Sequence, residues 1–448
     1  MKTPIIDFIS EYAEKSCVRL HMPGHKGVGN IEKSDITEIS GADSLYEADG
    51  IIKESEANAG TLFGADTFYS AEGSSLSIRA MLYLAGKYAA ECHRTPLILA
   101  GRNAHKTFVS AVSLIGIETE WLTPKENASY LSCEITAEDV LRKIEELKRT
   151  PTAVYITSPD YLGNTADIEG ISRLCRERGI LILVDNAHGA YLKFLNKSRH
   201  PIDLGADVCC DSAHKTLPAL TGAAYLHISR SAPKFFKENA RDALALFGST
   251  SPSYLILSSL DGVNGYIADG YQEKLSAFAR RVERLKESLS DIGYTLYGSE
   301  PLKITLSTKE YGYLGAEIAA ILESGGIVPE FADPDFVVLM LTPENSECDL
   351  EKLISVMRSI PKRTPITKKA PKFSLPKRVM TPREAILLSS ELLPVSECVG
   401  RTLGAVTVGC PPAVPILVSG ELIDEDTVRV FEYYGIQKLK VIKTENTR

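Results

Sequence analysis

From about Ile51 to about Ile228, short apolar runs alternate with stretches in which apolar residues recur every three or four positions. The first pattern predicts buried strands and the second amphipathic helices, so their alternation predicts βαβ units around a mostly parallel sheet. Leu97-Ile-Leu-Ala, Ala153-Val-Tyr-Ile-Thr, Ile180-Leu-Ile-Leu-Val-Asp and Val208-Cys-Cys-Asp-Ser are the clearest strands, and each gives way to polar residues. In an open sheet of this kind the carboxyl ends of the strands line the ligand crevice, so those polar endings are where chemistry belongs. Between Gly265 and Ile292 the pattern is long and helical, with Arg280, Arg281, Arg284 and Lys286 on a solvated face. A smaller αβ pattern runs on to about Ile360. The expected organisation is an N-terminal segment (1–50), a large domain (51–290), a small α/β domain (291–360), a basic Pro-rich linker (361–378) and a C-terminal domain (379–448). The last of these holds a helix candidate around Pro382 to Glu391 and the turn-rich stretch Gly409-Cys-Pro-Pro-Ala-Val-Pro-Ile-Leu-Val-Ser-Gly-Glu.

Length and composition narrow the class. A chain of 448 residues exceeds the usual size of a single core, which favours one large domain with smaller ones. The hydrophobic fraction of 44% and charged fraction of 24% are ordinary for a globular protein, and no apolar run reaches bilayer length, which argues against a membrane span. The start, Met1-Lys-Thr-Pro-Ile-Ile-Asp-Phe-Ile-Ser, lacks the apolar core of a signal peptide, so a cytoplasmic location is expected. Nine cysteines at irregular spacing fit reduced thiols better than a disulfide framework. A net charge of −8 argues against a nucleic-acid partner. His21 and His25 have the spacing of a helical metal pair, but Pro23 and Gly24 between them speak against a helix, and no metal is expected.

Four polar endings carry candidate chemistry. Asp211-Ser-Ala-His-Lys-Thr places Ser212, His214 and Lys215 just beyond a strand. Lys215 suits either a nucleophilic amine toward the aldehyde of pyridoxal phosphate, with Ser212 on a phosphate oxygen, or an exposed lysine beside an N-capping serine. Asp185, directly after an apolar run, suits a pyridinium N–H, which it would keep protonated, or the cap of a following helix. Ala187 is small enough for a planar ring to lie against the backbone, and His188 either faces substrate or fills the crevice. Gly73-Ser74-Ser75 opens a helix and suits a phosphate or an ordinary N-cap. His105, in Gly101-Arg-Asn-Ala-His-Lys-Thr, suits a ring stacker or a solvated loop histidine. Taken in order, the endings supply phosphate donors, a stacker, a ring-nitrogen acid and a lysine, whereas no Walker motif, Rossmann glycine fingerprint or H-E-x-x-H occurs.

The segments His21-Met-Pro-Gly-His-Lys-Gly, Gly101-Arg-Asn-Ala-His-Lys, Val184-Asp-Asn-Ala-His-Gly-Ala, Ser212-Ala-His-Lys-Thr-Leu-Pro-Ala-Leu-Thr and Ser251-Pro-Ser-Tyr together resemble the Orn/Lys/Arg decarboxylase family, in its short form without the receiver-like wing domain. The resemblance runs end to end. It implies an α/β fold of the aspartate-aminotransferase-like, pyridoxal-phosphate-dependent type with smaller α+β C-terminal domains, and decarboxylation of lysine, arginine or ornithine. It also implies that Lys215 forms the Schiff base, Asp185 pairs with the ring nitrogen, His105 stacks on the ring, and Ser74, Ser75 and Ser212 take the phosphate. The family's sites are built at a homodimer interface, where Thr250, in Ser249-Thr-Ser-Pro, would reach the phosphate of the neighbouring subunit. His214 would stand near the substrate carbon and could return the proton, and His188 would lie over the substrate side. A basic substrate needs a carboxylate for its distal cation, with Glu421 the first candidate and Asp43 and Asp160 behind it.

Three departures bear on substrate and reaction type: Gly222 stands where family members often carry glutamine, the Pro-Pro-Gly-Ile-Pro turn is Pro411-Pro-Ala-Val-Pro, and a strand ends Ser158-Pro-Asp160-Tyr. An aminotransferase or lyase on the same fold, or a paralogue that binds the cofactor without turnover, is the alternative reading.

Overall fold

The computed structural model describes residues 1–448 apart from 16, 124–128, 133, 373, 409–412 and 445–448. The first part of the turn-rich stretch, Gly409 to Pro412, therefore lies outside the described residues.

All four expected strands form, within a residue of their predicted bounds. The strands β1 (Asp66–Ser70), β2 (Leu97–Gly101), β3 (Glu118–Leu122), β4 (Ala153–Thr157), β5 (Leu181–Asp185), β6 (Val208–Asp211) and β7 (Ala224–Ile228) make one seven-stranded sheet in the order β1-β7-β6-β5-β4-β2-β3. The pairs β2/β3, β4/β5 and β5/β6 are parallel, while β7 runs antiparallel to both β1 and β6. Burial on both faces explains why β2, β5 and β6 are continuously apolar until their last residues.

The chain divides into two compact units, 1–96 with 150–158 and 168–276, and 97–149 with 159–167 and 277–448. In the first unit, helices α1 (Pro4–Glu14), α2 (Ile51–Phe63) and α3 (Gly73–Glu91) accompany strands β1, β7, β6, β5 and β4. Phe63 of α2 is fully buried and packs on Tyr225 and His227 of β7, with ring centroids 5.2 and 4.4 Å away. Cys209 and Cys210 of β6 are fully buried, and burial pushes both thiols well above their usual range, with Asp211 adding most for Cys209 and Asp185 for Cys210.

The second unit holds a four-stranded antiparallel sheet in the order β10 (Phe331–Ala332), β11 (Phe336–Met340), β9 (Lys303–Ser307), β8 (Thr295–Tyr297). Helices Gly315–Ser324 and Glu347–Ser359 belong to the same αβ region, as its pattern predicts. Further on, the helix expected over Pro382 to Glu391 stops at Leu387, because Leu388 turns to an extended conformation and Ser390–Pro394 pairs with Lys438–Ile442. The long helical pattern ending at Ile292 is also broken: Tyr254–Ala268 and Tyr271–Ile292 are separate helices, with Gly270 between them at φ +75°.

Candidate active site

Strand direction gathers the site in the first unit. Asp185 and Asp211 end parallel strands, and Asp211 stands opposite Tyr225 near the start of the antiparallel β7. Ser70, which ends β1, pairs with Ala224, the first residue of β7. One edge of the sheet thus carries the turn into α3, the loop Asp185–Gly189, the turn Ser212–Thr216 and the residues leading into β7.

Two of the three candidate catalytic side chains meet there directly. Lys215, in the single helical turn Ala213–Thr216, places Nζ 3.0 Å from Nε2 of His188. His188 is buried, so this contact joins an amine and an imidazole largely out of water. The third, His214, has Nδ1 2.9 Å from the carbonyl oxygen of Ala223. A carbonyl can only accept, so Nδ1 carries the proton and Nε2 is the nitrogen left for proton exchange. Burial, joined by the charge of Lys215, holds His214 below the usual histidine range, although the Ala223 bond opposes this.

Asp185 is 2% exposed. Its Oδ2 accepts from the Tyr155 hydroxyl at 3.2 Å, and its Oδ1 accepts from the Ala187 N–H at 3.2 Å and from the Cys210 thiol at 3.7 Å. No cation stands against this carboxylate among the described residues. A buried charge without a countercharge is costly, and a protonated ring nitrogen would supply the countercharge. Tyr155 and Cys210 lie outside the sequence reading. Nothing local marks them, since each reaches Asp185 only through the register of neighbouring strands.

The turn into α3 forms a cup. Gly73 opens the helix at φ +69°, and Ser212 Oγ donates to Ser74 Oγ at 2.9 Å, which joins two of the three expected phosphate serines. Ser75 follows in the same first turn, whose N–H groups have no intrahelical acceptor. The Gly73 N–H is taken by the carbonyl of Gly222 at 2.7 Å. At φ +98°, Gly222 closes on the cup so tightly that a Cβ there would sit 3.1 Å from both the Ala71 carbonyl oxygen and Ile256 Cδ1. The departure from glutamine is thus a packing requirement in this chain. Thr250 is exposed in a loop whose Ser249 N–H donates to Glu72 Oε1 at 2.6 Å, one residue before the cup.

The remaining candidates have contacts of their own. Asp43 accepts the N–H groups of Gly50 and Ile52 at 2.8 and 2.9 Å and so caps α2. In the second unit, His105 is the N-cap of helix Lys106–Ile115, its Nδ1 accepting from the Thr107 N–H at 3.2 Å. Asp160 accepts from Ser132 Oγ at 2.6 Å and from the Asn164 side chain at 2.8 Å, and burial raises its pKa. Glu421 is 2% exposed; its Oε2 lies 3.0 Å from Arg102 Nη2 and accepts the Val418 N–H at 2.7 Å. Its charge is therefore met inside the protein. His21 and His25 occupy turns rather than a helix and contact Tyr12 and Asp35 respectively.

The donor set of the first unit fits pyridoxal phosphate: a lysine amine, two joined serine hydroxyls at a helix start, and a buried carboxylate lacking a countercharge. Comparison with known proteins agrees in kind. The profile described as "Orn/Lys/Arg decarboxylase, major domain" matches residues 3–292. The arginine decarboxylase of Bacillus subtilis (strain 168) is 29% identical over 461 residues, covering 95% of this chain and 92% of its own. The uncharacterized protein YaaO of the same organism is 30% identical over 460 residues, covering 96% of this chain and 93% of its own. Among solved structures, lysine decarboxylase A from Pseudomonas aeruginosa superposes with a TM-score of 0.81 at 17% identity, over 98% of this chain and 80% of that one. The constitutive lysine decarboxylase of E. coli gives 0.76 at 19% identity, over 99% and 82%. These likenesses bear out the expected fold class.

Proposed function

The chain belongs to the Orn/Lys/Arg decarboxylases and is an amino-acid decarboxylase; on that premise we propose that it converts lysine, arginine or ornithine to the corresponding amine and CO2, with pyridoxal phosphate held at Lys215. The observation that carries this reading is the meeting, at one sheet edge, of the Lys215–His188 pair with a buried carboxylate that lacks a countercharge. When bound, the cofactor supplies an electron sink for the charge left as the α-carboxylate departs.

The chain's own residues do the rest. Asp185, oriented by Tyr155 and the Ala187 N–H, would hold the ring nitrogen. Ser74, Ser75 and Ser212 would bind the phosphate with the start of α3, Ala187 would lie against the ring, and His105 would be its stacking partner. His188 exchanges a proton with the Lys215 amine across their 3.0 Å contact. The reaction consumes one proton per turnover, which returns to the carbon that lost CO2, and His214 delivers it from Nε2 because Nδ1 is pinned to Ala223. Glu421, its charge already met by Arg102, is left out of the substrate's set. We further assign the protein to a homodimer in which Thr250 of one subunit completes the phosphate site of the other.

The test is product identification by mass spectrometry after incubation with lysine, arginine and ornithine separately. One of them should yield its amine with loss of CO2; a keto acid from any of them would overturn the reading in favour of transamination. Borohydride treatment should fix the pyridoxyl mass on the peptide containing Lys215, and finding it on another lysine would refute the assignment.

A further inference from the structure

Behind the strand ends lies a polar network that the reaction scheme does not use. Asp211 is fully buried, as are His200, His227 and Asn186. Its Oδ2 lies 3.0 Å from His200 Nε2 and 3.3 Å from His227 Nε2, and its Oδ1 accepts from Asn186 Nδ2 at 2.7 Å. A ring nitrogen of His200, Cys209 Sγ and an Asp211 oxygen approach within 4.8 Å of one another, a spacing that also suits a metal ion. The far side of the imidazole decides between the two. The Ile202 N–H points at His200 Nδ1 at 3.4 Å, so Nδ1 is an acceptor, the ring proton sits on Nε2, and Nε2 is a donor to Asp211 rather than a metal ligand. His227 Nδ1 pairs with Thr67 Oγ1 at 2.9 Å, where the hydroxyl can donate, which gives the same tautomer. With the Cys209 thiol, which donates to Oδ1 at 3.6 Å, four donors therefore converge on one carboxylate. Burial works against that charge, and the two imidazoles outweigh it, holding the carboxyl below its usual range.

The network's reach is what gives it a function. Asn186 follows Asp185, and its N–H donates to the Cys210 carbonyl at 3.0 Å while its own carbonyl accepts from Gly189 N–H at 2.8 Å. Asn186 thus fixes the loop that holds Asp185 and His188 from both sides. Its side-chain oxygen is turned so close to Gly189 that a Cβ there would lie 2.0 Å away, so only glycine fits. Asp211 in turn is followed by Ser212, which opens the turn bearing His214 and Lys215. One carboxylate–amide bond ties the two loops whose side chains meet as the Lys215–His188 pair.

We propose that Asp211 and Asn186 are positioning residues for the decarboxylation, acting through the Asp185–Gly189 loop to hold His188 against Lys215 and Asp185 in register with them. The inference rests on the function proposed above for those three residues. An error of about 1 Å in such a set costs on the order of 100-fold in rate. Asn186→Ala removes the tie and leaves the His200–Asp211–His227 contacts in place. In the cofactor-loaded enzyme it should lower kcat about 10- to 100-fold while KM changes about twofold or less, and should alter the visible circular dichroism of the bound cofactor. The amide of Gly189 should exchange faster with solvent in the variant. Asp211→Asn should be worse, because an amide offers one acceptor oxygen to four donors.

Wild-type product formation is read alongside. If the wild type decarboxylates and Asn186→Ala keeps its kcat and dichroism, the positioning role is overturned. If the wild type forms no amine, the proposed function fails on its own, and the exchange rate at Gly189 still decides whether Asn186 holds the loop: unchanged exchange overturns the inference, faster exchange supports it.

Discussion

His214 shows how one backbone contact sets the direction of a proton. With Nδ1 bound to the Ala223 carbonyl, only Nε2 can release or receive, and the depressed pKa means that the donor form becomes populated as pH falls below the ordinary 6.5. At saturating substrate, kcat should therefore rise from pH 8 toward pH 6 in the wild type and lose that dependence in His214→Asn; a rise that persists in the variant would place the proton elsewhere. The stability sign is the opposite. As pH falls through 6.5 the unfolded chain takes up the proton before the folded one, so stability declines below that value. Lys215, Asp185 and the serines could be picked out as candidates because each follows an apolar run. Tyr155 and the Asn186–Asp211 bond were not, since they depend on which strands become neighbours. Glu421 could be seen as a carboxylate, but its partner Arg102 is 319 positions away in the chain.

Among the elements, the turn ending at Gly222 and the start of α3 act as one piece, joined by the Gly73 N–H to Gly222 carbonyl bond. Restoring the family's glutamine should break this piece. Gly222→Gln places a side chain at φ +98° and against the Ala71 carbonyl, a strain of about 1–2 kcal/mol. It should lower the unfolding midpoint and weaken cofactor affinity, measured by fluorescence titration; unchanged affinity would show that the cup tolerates displacement of Gly73. Helix termini were the least legible elements. The periodicity through Gly265–Ile292 continues across Asp269 and Gly270, and only the left-handed backbone at Gly270 shows where one helix ends. Likewise, nothing before Leu388 announces that the residues after it join a strand from the far end of the chain.

For the molecule as a whole, the alternation of strand and helix was sufficient to reveal the sheet and the edge that gathers the candidate site, because both follow from direction and burial. The order of strands was less accessible: β7 inserts between β1 and β6 although β1 precedes it by more than a hundred residues. No helix among the described residues is long and apolar enough to cross a membrane. If the sites are shared in a homodimer, mixing Thr250→Ala with Lys215→Ala subunits restores one intact site in each mixed dimer. Random assortment then gives about a quarter of wild-type activity, whereas no activity beyond the Thr250→Ala subunits' own would mean self-contained sites.

The cysteines of β6 allow the opening of this region to be timed. Cys17, Cys92 and Cys348 are exposed and should consume a thiol reagent at once, whereas Cys209 and Cys210 are fully buried with strongly disfavoured thiolates. Their modification has to wait for the strand to come apart. Because β6 leads directly into Ser212 and Lys215, the lag before they react is a native clock, requiring no added label, for how often the segment bearing the lysine lets go of the sheet.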